Sequence, residues 1–409
     1  MKILFLTLLD FATFSERNIY CDLLREFMKN GHEVYGISPL ERRTGAPTHW
    51  EEDKHLLKLS VGNMQKTSLI EKGISTLRIE SQFRKAIKAF FPDIKFDLIL
   101  YSTPPITFLG AIRYVKKRDG AKTYLLLKDI FPQNAVDLGM LKTTGVRAPI
   151  YHYFRKKEKR LYAISDRIGC MSQANVDYII KNNPEIDASI VEVCPNCIDV
   201  EDIRVDELQR KAMRVKYGIP QDKKVFVYGG NLGKPQGIPF LIDCLRAEMS
   251  NDNIFFLIVG DGTEYKLVET FVKENHPNNV KLMTRVPKDD YDRMIAACDV
   301  GMIFLDHRFT IPNFPSRLLS YMQAGLPVLA CTDPNTDIGK VIIDGGFGWW
   351  CESDDVTAFV YLVRQVTEVS LDSDGYKGIE YLMDNYTAEK AYSIITASTT
   401  SSIENGSEN

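Results

Sequence analysis

Two hydrophobic rhythms take turns along the chain. Residues 2–9 form a nearly unbroken apolar run, the pattern of a strand buried on both faces of a parallel sheet. A polar loop at 10–15 leads into a stretch where Ile19, Leu23, Leu24, Phe27 and Met28 recur at helical spacing, and Gly31 supplies the stop. Residues 34–37 read as the next strand, so the chain opens as a βαβ unit. Residues 97–101 and 123–127 predict short buried strands separated by a helix around 107–117, and 167–171 and 190–193 predict later strands of the same sheet.

After a charged connector at 199–209 the rhythm restarts. Strands are predicted at 225–228, 254–259, 280–283, 299–305 and 327–331, alternating with helical segments. The pattern predicts an α/β chain of two doubly wound, Rossmann-like domains, 1–197 and 198–379. A cleft is expected between the carboxyl ends of their sheets, where ligands of such domains bind. The Ser/Thr/Asn-rich stretch 396–409 carries no apolar period and is expected to be a flexible tail.

Length and composition agree with two globular domains. A chain of 409 residues exceeds one ordinary core, and 44% hydrophobic with 26% charged residues is a globular balance. The net charge of −3 supplies no field to recruit nucleic acid, which is excluded as a partner. Asp10 interrupts the first apolar run too early for a signal-peptide core, and Pro104, Pro105 and Arg113 break the run at 98–115. A spanning helix needs about 20 apolar residues, so the expected location is cytoplasmic. Eight scattered cysteines suit reduced, buried thiols. The close pair Cys194 and Cys197 lacks the second pair or histidines that zinc or redox chemistry would want.

Three motifs carry chemistry. The first is a strand running through Val227-Tyr228 into Gly229-Gly230-Asn231-Leu232-Gly233-Lys234-Pro235-Gln236-Gly237. Glycines let backbone N–H groups approach a ligand, and a following helix start favours negative charge. A P-loop is excluded because Pro235 follows Lys234 and the spacing is one residue short; a plain βα turn stays open. The second, Val259-Gly260-Asp261-Gly262, is another strand entering a tight turn. The third runs from Pro312 to Val328, where Ser316 is expected to cap a short helix and Gly325-Leu326-Pro327 to end it. Free N–H groups at that helix start, with Arg317 beside them, would suit a diphosphate.

These three motifs in this order resemble glycosyltransferase family 4, the retaining GT-B enzymes of polysaccharide assembly, and most of all its O-antigen and capsule N-acetylfucosaminyltransferase-like branch. The likeness rests on Gly230 to Gly237, Val259 to Gly262 and Pro315 to Arg317, with a looser match at Lys128-Asp129-Ile130-Phe131-Pro132 in the first domain. It implies a GT-B fold whose second domain binds the nucleotide-sugar donor, with a C-terminal helix around 380–395 returning to the first, acceptor-side domain. The activity it implies is metal-independent transfer of a hexose or N-acetylhexosamine-type sugar, with retention, from a nucleotide diphosphate donor such as a UDP-sugar. The acceptor would be a lipid-linked oligosaccharide of capsular or O-antigen polysaccharide, and no cofactor is implied.

The residues expected to serve this chemistry follow from the motifs. Asp129, Lys234 and Arg317 are the candidate catalytic groups. Lys234, Arg317 and the amides near Leu318 and Leu319 would neutralise the departing diphosphate. Gly230, Asn231, Gly233, Gly260, Asp261, Gly262, Arg285, Val286, Ser316, Leu318, Ser320 and Gln323 are the donor-binding candidates. Glu16, Arg17 and Lys128 stand on the acceptor side. Most of the family carries Arg and Lys in the first glycine turn, where this chain has Asn231 and Gln236. It also carries two glutamates at the positions of Pro312 and Ser320; Gln323 is the expected substitute for the second, which accepts hydrogen bonds from the donor ribose.

The six histidines read as structural or surface groups. The cluster Asp289-Asp290-Tyr291-Asp292 precedes a predicted helix, so capping explains it better than a metal does. Basic residues Arg155, Lys156, Lys157, Lys159 and Arg160 share a helix with Tyr151, Tyr153, Phe154 and Leu161, and 66–91 shows a similar mixture. Such surfaces bind anionic lipid or are solvated faces of core helices. The first alternative implies a protein peripheral to the inner face of a membrane. Two rivals stay open: a non-catalytic GT-B protein binding a partner transferase or glycan, and a GT-B epimerase, whose motif is not found.

Overall fold

The computed structural model describes residues 1–63, 69–284, 286–369 and 371–404. It divides into two compact units, Met1–Asp199 together with the C-terminal helix that begins at Ala388, and Val200–Thr387.

In the first unit the strands are β1 (Lys2–Leu6), β2 (Glu33–Glu41), β3 (His49–Glu51), β4 (Leu56–Val61), β5 (Leu98–Ser102), β6 (Lys122–Leu127), β7 (Arg167–Cys170) and β8 (Val191–Val193). Between them lie α1 (Ile19–Lys29), α2 (Leu69–Phe90), α3 (Leu109–Asp119), α4 (Gln133–Asp137), α5 (Ala148–Ile164) and α6 (Gln173–Asn182). The sheet order is β3-β4-β2-β1-β5-β6-β7-β8, parallel throughout except that β3 runs against β4. Apolar runs such as Leu98-Ile99-Leu100-Tyr101 are buried on both faces because helices cover both. α1 begins where Asn18 accepts from the amides of Tyr20 and Cys21, and its face of Cys21, Leu23, Leu24 and Phe27 enters the core.

The second unit runs α7 (Glu207–Tyr217), β9 (Lys224–Asn231), α8 (Ile238–Glu248), β10 (Ile254–Asp261), α9 (Tyr265–Asn275), β11 (Val280–Met283), α10 (Lys288–Ala296), β12 (Val300–Phe304) and α11 (Arg317–Gln323). It continues through β13 (Val328–Thr332), α12 (Ile338–Asp344), β14 (Gly348–Glu352), α13 (Val356–Glu368) and α14 (Asp372–Asn385). The sheet is wholly parallel in the order β11-β10-β9-β12-β13-β14, which reverses direction between β9 and β12. Ligands of such sheets bind beyond the carboxyl ends of the strands at that reversal.

α7 is tied down by an ion pair whose arginine is buried. Arg214 donates to Asp299 at 2.7 Å and to the carbonyls of Ala297 and Pro220, while Asp299 also accepts from the Val225 amide. A charge pair satisfied on all sides can be buried without leaving an orphan.

Several sequence expectations are corrected. The connector at 199–209 already contains the first turn of α7, capped by Asp206 with Gln209 completing a capping box. β3 escaped the pattern because it is three residues long and β14 because it is mostly half-buried, whereas β4 is almost wholly buried and carries the buried Lys58 within its apolar run. The expected tail from 396 is instead the continuation of α15 (Ala388–Glu404), in which the hydroxyls of Thr396 and Thr399 bond the carbonyls of Tyr392 and Ile395. α15 packs on α1, with Tyr392 edge-on to Phe27 and hydrogen-bonded to His32.

Candidate functional site

β9 and β10 run side by side to their ends, pairing Gly230 with Gly260 and Asn231 with Asp261. Gly230 sits at φ +125°, a backbone conformation that a side chain would disfavour. A Cβ at Gly229 would overlap the Tyr291 hydroxyl, so that glycine makes room for a tyrosine delivered by α10. The turn is pinned from two sides. Tyr228 Oη donates to Asn231 O at 2.7 Å, and Gln236 Oε1 accepts from Asn231 Nδ2 and Gly233 N at 3.0 and 3.3 Å.

A pocket of about 270 Å³ opens at this edge, lined by Gly230, Asn231, Val259, Gly260, Asp261, Val286 and Tyr291. Val259, Val286 and Tyr291 give it an apolar wall, the two glycines bare backbone, and Asn231 and Asp261 a polar rim. Burial pushes the Tyr291 phenol up to about 12, so it stays a neutral hydroxyl at ordinary pH.

Arg317 begins α11 and turns back under this edge. Its guanidinium carbon lies 4.5 Å from the centre of the Tyr228 ring, and Nη2 would be 3.4 Å from a Cβ placed on Gly230. Nη1 is buried with no hydrogen-bond partner among the described residues. Tyr321 Oη, from the same helix, accepts from Gly229 N and donates to Met302 O, which fixes the turn to α11. A cation is thus held beside a bare-backbone turn with a donor unspent, an arrangement that suits an anionic ligand.

Other expected donor contacts fall elsewhere. Leu318 is buried and its amide donates to Pro315 O, while Leu319 N donates to Ser316 O. The helix start is therefore closed by tight turns rather than free. Ser316 occupies the cap position with helical dihedrals, φ −63° and ψ −17°, and its side chain makes no capping bond. The Gln323 side chain is buried and its Oε1 accepts from Glu201 N at 3.3 Å, so it is not a replacement lining the pocket. Ser320 is half-buried and also absent from the lining. Gly262 N is taken by Asp261 Oδ1. Lys234 is exposed, and its charge acts on the Glu264 carboxyl, which burial holds above its ordinary range. Arg285 lies outside the described residues. Asp290 does not cap α10; its carboxylate bonds Lys216 and Tyr217 of α7.

In the first unit Asp129 follows β6, its backbone fixed by the Thr103 hydroxyl. Both carboxylate oxygens accept from Asn134 Nδ2 at 2.8 Å, and burial raises the group to about 6. Lys128 donates to Cys194 O, and burial lowers its ammonium. Glu16 is exposed and accepts from Ala12 N at 2.5 Å, closing its own loop, while Arg17 is half-buried in the same loop. Among the described residues no group of three or more His, Cys, Asp or Glu could hold a metal ion.

The bases expected to meet a membrane are largely spoken for. Arg155 pairs with Glu158, Lys157 with Glu80 and Lys159 with Glu185, while Leu161 faces the core. On α2, Ile79, Phe83 and Ile87 are core residues and Arg84, Lys85 and Lys88 their solvated backs; Lys66 and the side chains of Ile70, Lys72 and Ile74 lie outside the described residues. No helix among the described residues is long and apolar enough to cross a membrane.

Residues 18–202 match Glycosyltransferase Family 4 and residues 209–374 match Glycosyl transferases group 1. The chain is a GT-B glycosyltransferase. Among curated proteins the transferase is 25% identical over 321 residues, 78% of each chain, to the probable glycosyltransferase WbjE of Pseudomonas aeruginosa. It is 22% identical to the putative colanic acid biosynthesis glycosyl transferase WcaI of Escherichia coli K12, over 68% of this chain and 70% of that one. Among solved structures it superposes on Anabaena HepE in complex with UDP-glucose with a TM-score of 0.68 and 14% identity, covering 98% of this chain and all of that one.

Sequence reasoning placed Gly230, Asn231, Gly260, Asp261 and Val286 of this transferase at one site, and the pocket brings them together. It missed Tyr291 and Tyr228. The signal for Tyr291 was present as a bulky residue opposite an unexplained Gly229, but the sequence does not say which loop fills the room a glycine leaves.

Proposed function

We propose that this transferase takes its sugar from a uridine diphosphate donor. The base lies against Val259, Val286 and Tyr291, and Arg317 receives the diphosphate. The observation that carries this reading is the buried, unpartnered Nη1 of Arg317 beside the Gly230 turn. HepE in its UDP-glucose complex shares the fold, which supports the choice of nucleotide.

Departure of the diphosphate leaves negative charge, and a fixed cation lowers the barrier most when it is already aimed there. Arg317 is held in place by Tyr228 before any ligand arrives, and Lys234 is the second cation in reach of the turn's far end. On the acceptor side Asp129, steadied by Asn134, takes the hydrogen bond of the incoming hydroxyl. The hydroxyl attacks from the face the diphosphate leaves, so configuration is retained. The acceptor is a lipid-linked oligosaccharide of capsular or O-antigen assembly at an anionic membrane; the likeness to a colanic acid transferase supports polysaccharide assembly.

Calorimetric titration with UDP, GDP and CMP tests the donor. Saturable UDP binding, weakened 10- to 100-fold by Arg317→Ala, is the expected result, since a hydrogen bond to a charged group contributes about 1.5–3 kcal/mol. Binding of none of the three would sink the donor assignment.

A further inference from the structure

Four large apolar side chains crowd one short stretch of the first unit's surface: Met140 is 59% exposed, Val146 100%, Ile150 50% and Tyr153 43%. No other stretch of the described residues exposes large apolar side chains so densely. Met140 stands in the turn after α4, and Val146 in the turn that feeds α5. Ile150 and Tyr153 are three residues apart on α5, so one face of the helix start presents them together, and the fully exposed Val146 stands in the turn two residues before it. Between Asp137 and Glu158 the sequence has no acidic residue and five basic ones, Lys142, Arg147, Arg155, Lys156 and Lys157. Arg155 and Lys157 are held in ion pairs, whereas Lys142, Arg147 and Lys156 are exposed and make no ion pair with a described residue.

We infer that this turn and helix start, residues 140–156, seat the protein on an anionic lipid surface, with Val146 as the deepest point. The inference rests on the membrane reading above and moves it from the length of α5 and α2 to a single protruding edge. The chemistry of the patch selects this occupant. Aliphatic tips enter the acyl boundary, a tyrosine sits at headgroup level, and unpaired bases meet lipid phosphates. A second copy of the same patch would set Lys142 and Arg147 against their own equivalents, where like charges repel.

Full-length protein is mixed with vesicles of phosphatidylcholine alone or with 30% phosphatidylglycerol (~30%, enough for a clear surface potential) and sedimented at low and high salt. Wild type is expected to sediment with the anionic vesicles only, and less at high salt. Lys142→Glu with Arg147→Glu should lower partition by roughly 25-fold, from about 5-fold per base lost near the surface. Val146→Asp with Ile150→Asp should lower it at least about 10-fold, as a buried apolar tip becomes charged. Tyr361→Asp, an exposed site in the second unit, should change nothing, and UDP titration of each variant reports that it is folded. Wild type that ignores anionic vesicles overturns both the membrane reading and this one. Wild type that binds while both double variants bind equally overturns the assignment to 140–156 alone. Concentration-dependent dimers that both double variants abolish, without vesicle binding, would make the patch a protein contact and overturn the inference.

Discussion

The Arg317 guanidinium rests 4.5 Å from the centre of the Tyr228 ring, on the strand that ends in the glycine turn. The ring's electron-rich face offsets part of the cost of burying the charge and leaves Nη1 unspent. Replacing Tyr228 by Leu should therefore weaken donor binding without touching the donor. A loss of about 0.5–2 kcal/mol is expected, roughly 2- to 30-fold in Kd for UDP. An unchanged Kd would show that the ring does not orient the cation.

Gly229 and Tyr291 should behave as one unit. Gly229→Ala places a methyl where the tyrosine hydroxyl stands, and overpacking of this kind costs about 1–3 kcal/mol. Tyr291→Phe removes the hydroxyl and should recover much of the loss in the double variant. Denaturant unfolding of the four proteins gives the coupling, and strict additivity would refute it.

Asp129 gives a pH signature with a definite sign. Burial raises its carboxyl to about 6, above the ordinary ~3.9. The neutral form is favoured by the fold, so its contribution to stability is full below the unfolded value and is lost as pH rises through about 6. Activity runs the other way. The ionised carboxylate is the stronger, charge-assisted acceptor for the incoming hydroxyl, so turnover should fall as pH drops through about 6. Asp129→Asn should be weakly active and lack that limb; a wild-type profile flat from pH 5 to 8 (roughly three units spanning the carboxyl) would remove Asp129 from the chemistry.

Arg214→Met should be costly although it lies far from the pocket along the chain. It leaves the partly exposed Asp299 with only the Arg210 pair and the Val225 amide for company. A loss of about 1–3 kcal/mol is expected for a charged hydrogen bond removed while Arg210 still meets the carboxylate. Urea unfolding measures it, and a loss under 1 kcal/mol (~1, the range of exposed pairs) would show that Asp299 is well enough served without Arg214.

Much of the architecture could be read from the sequence because parallel strands buried on both faces announce themselves as apolar runs. β10 and β13 are of that kind. The antiparallel β3 is three residues long with no buried position, and β14 is mostly half-buried, so neither carries that signal. At the site the glycines were legible because two adjacent backbones must lie bare. The helix start at Arg317 was misread for an opposite reason. A Pro-Ser-Arg start looks like an open, cappable terminus, yet Pro315 and Ser316 turn tightly enough for their own carbonyls to take the amides of Leu318 and Leu319. Gln323 likewise has the right chemistry for a ribose, and only the fold reveals that the Glu201 amide already uses it.

The return of α15 to the first unit has a consequence for how the protein is made. The Ala388 amide bonds the Ile198 carbonyl, so the chain leaves the first unit and re-enters it at neighbouring points. Emerging from the ribosome, residues 200–387 have everything they need to fold while the earlier 199 residues still wait for their last helix. Until Ala388, Ala391 and Ile395 arrive, the apolar core around α1 lacks one of its walls. The half of the molecule that is translated first is the half that is finished last.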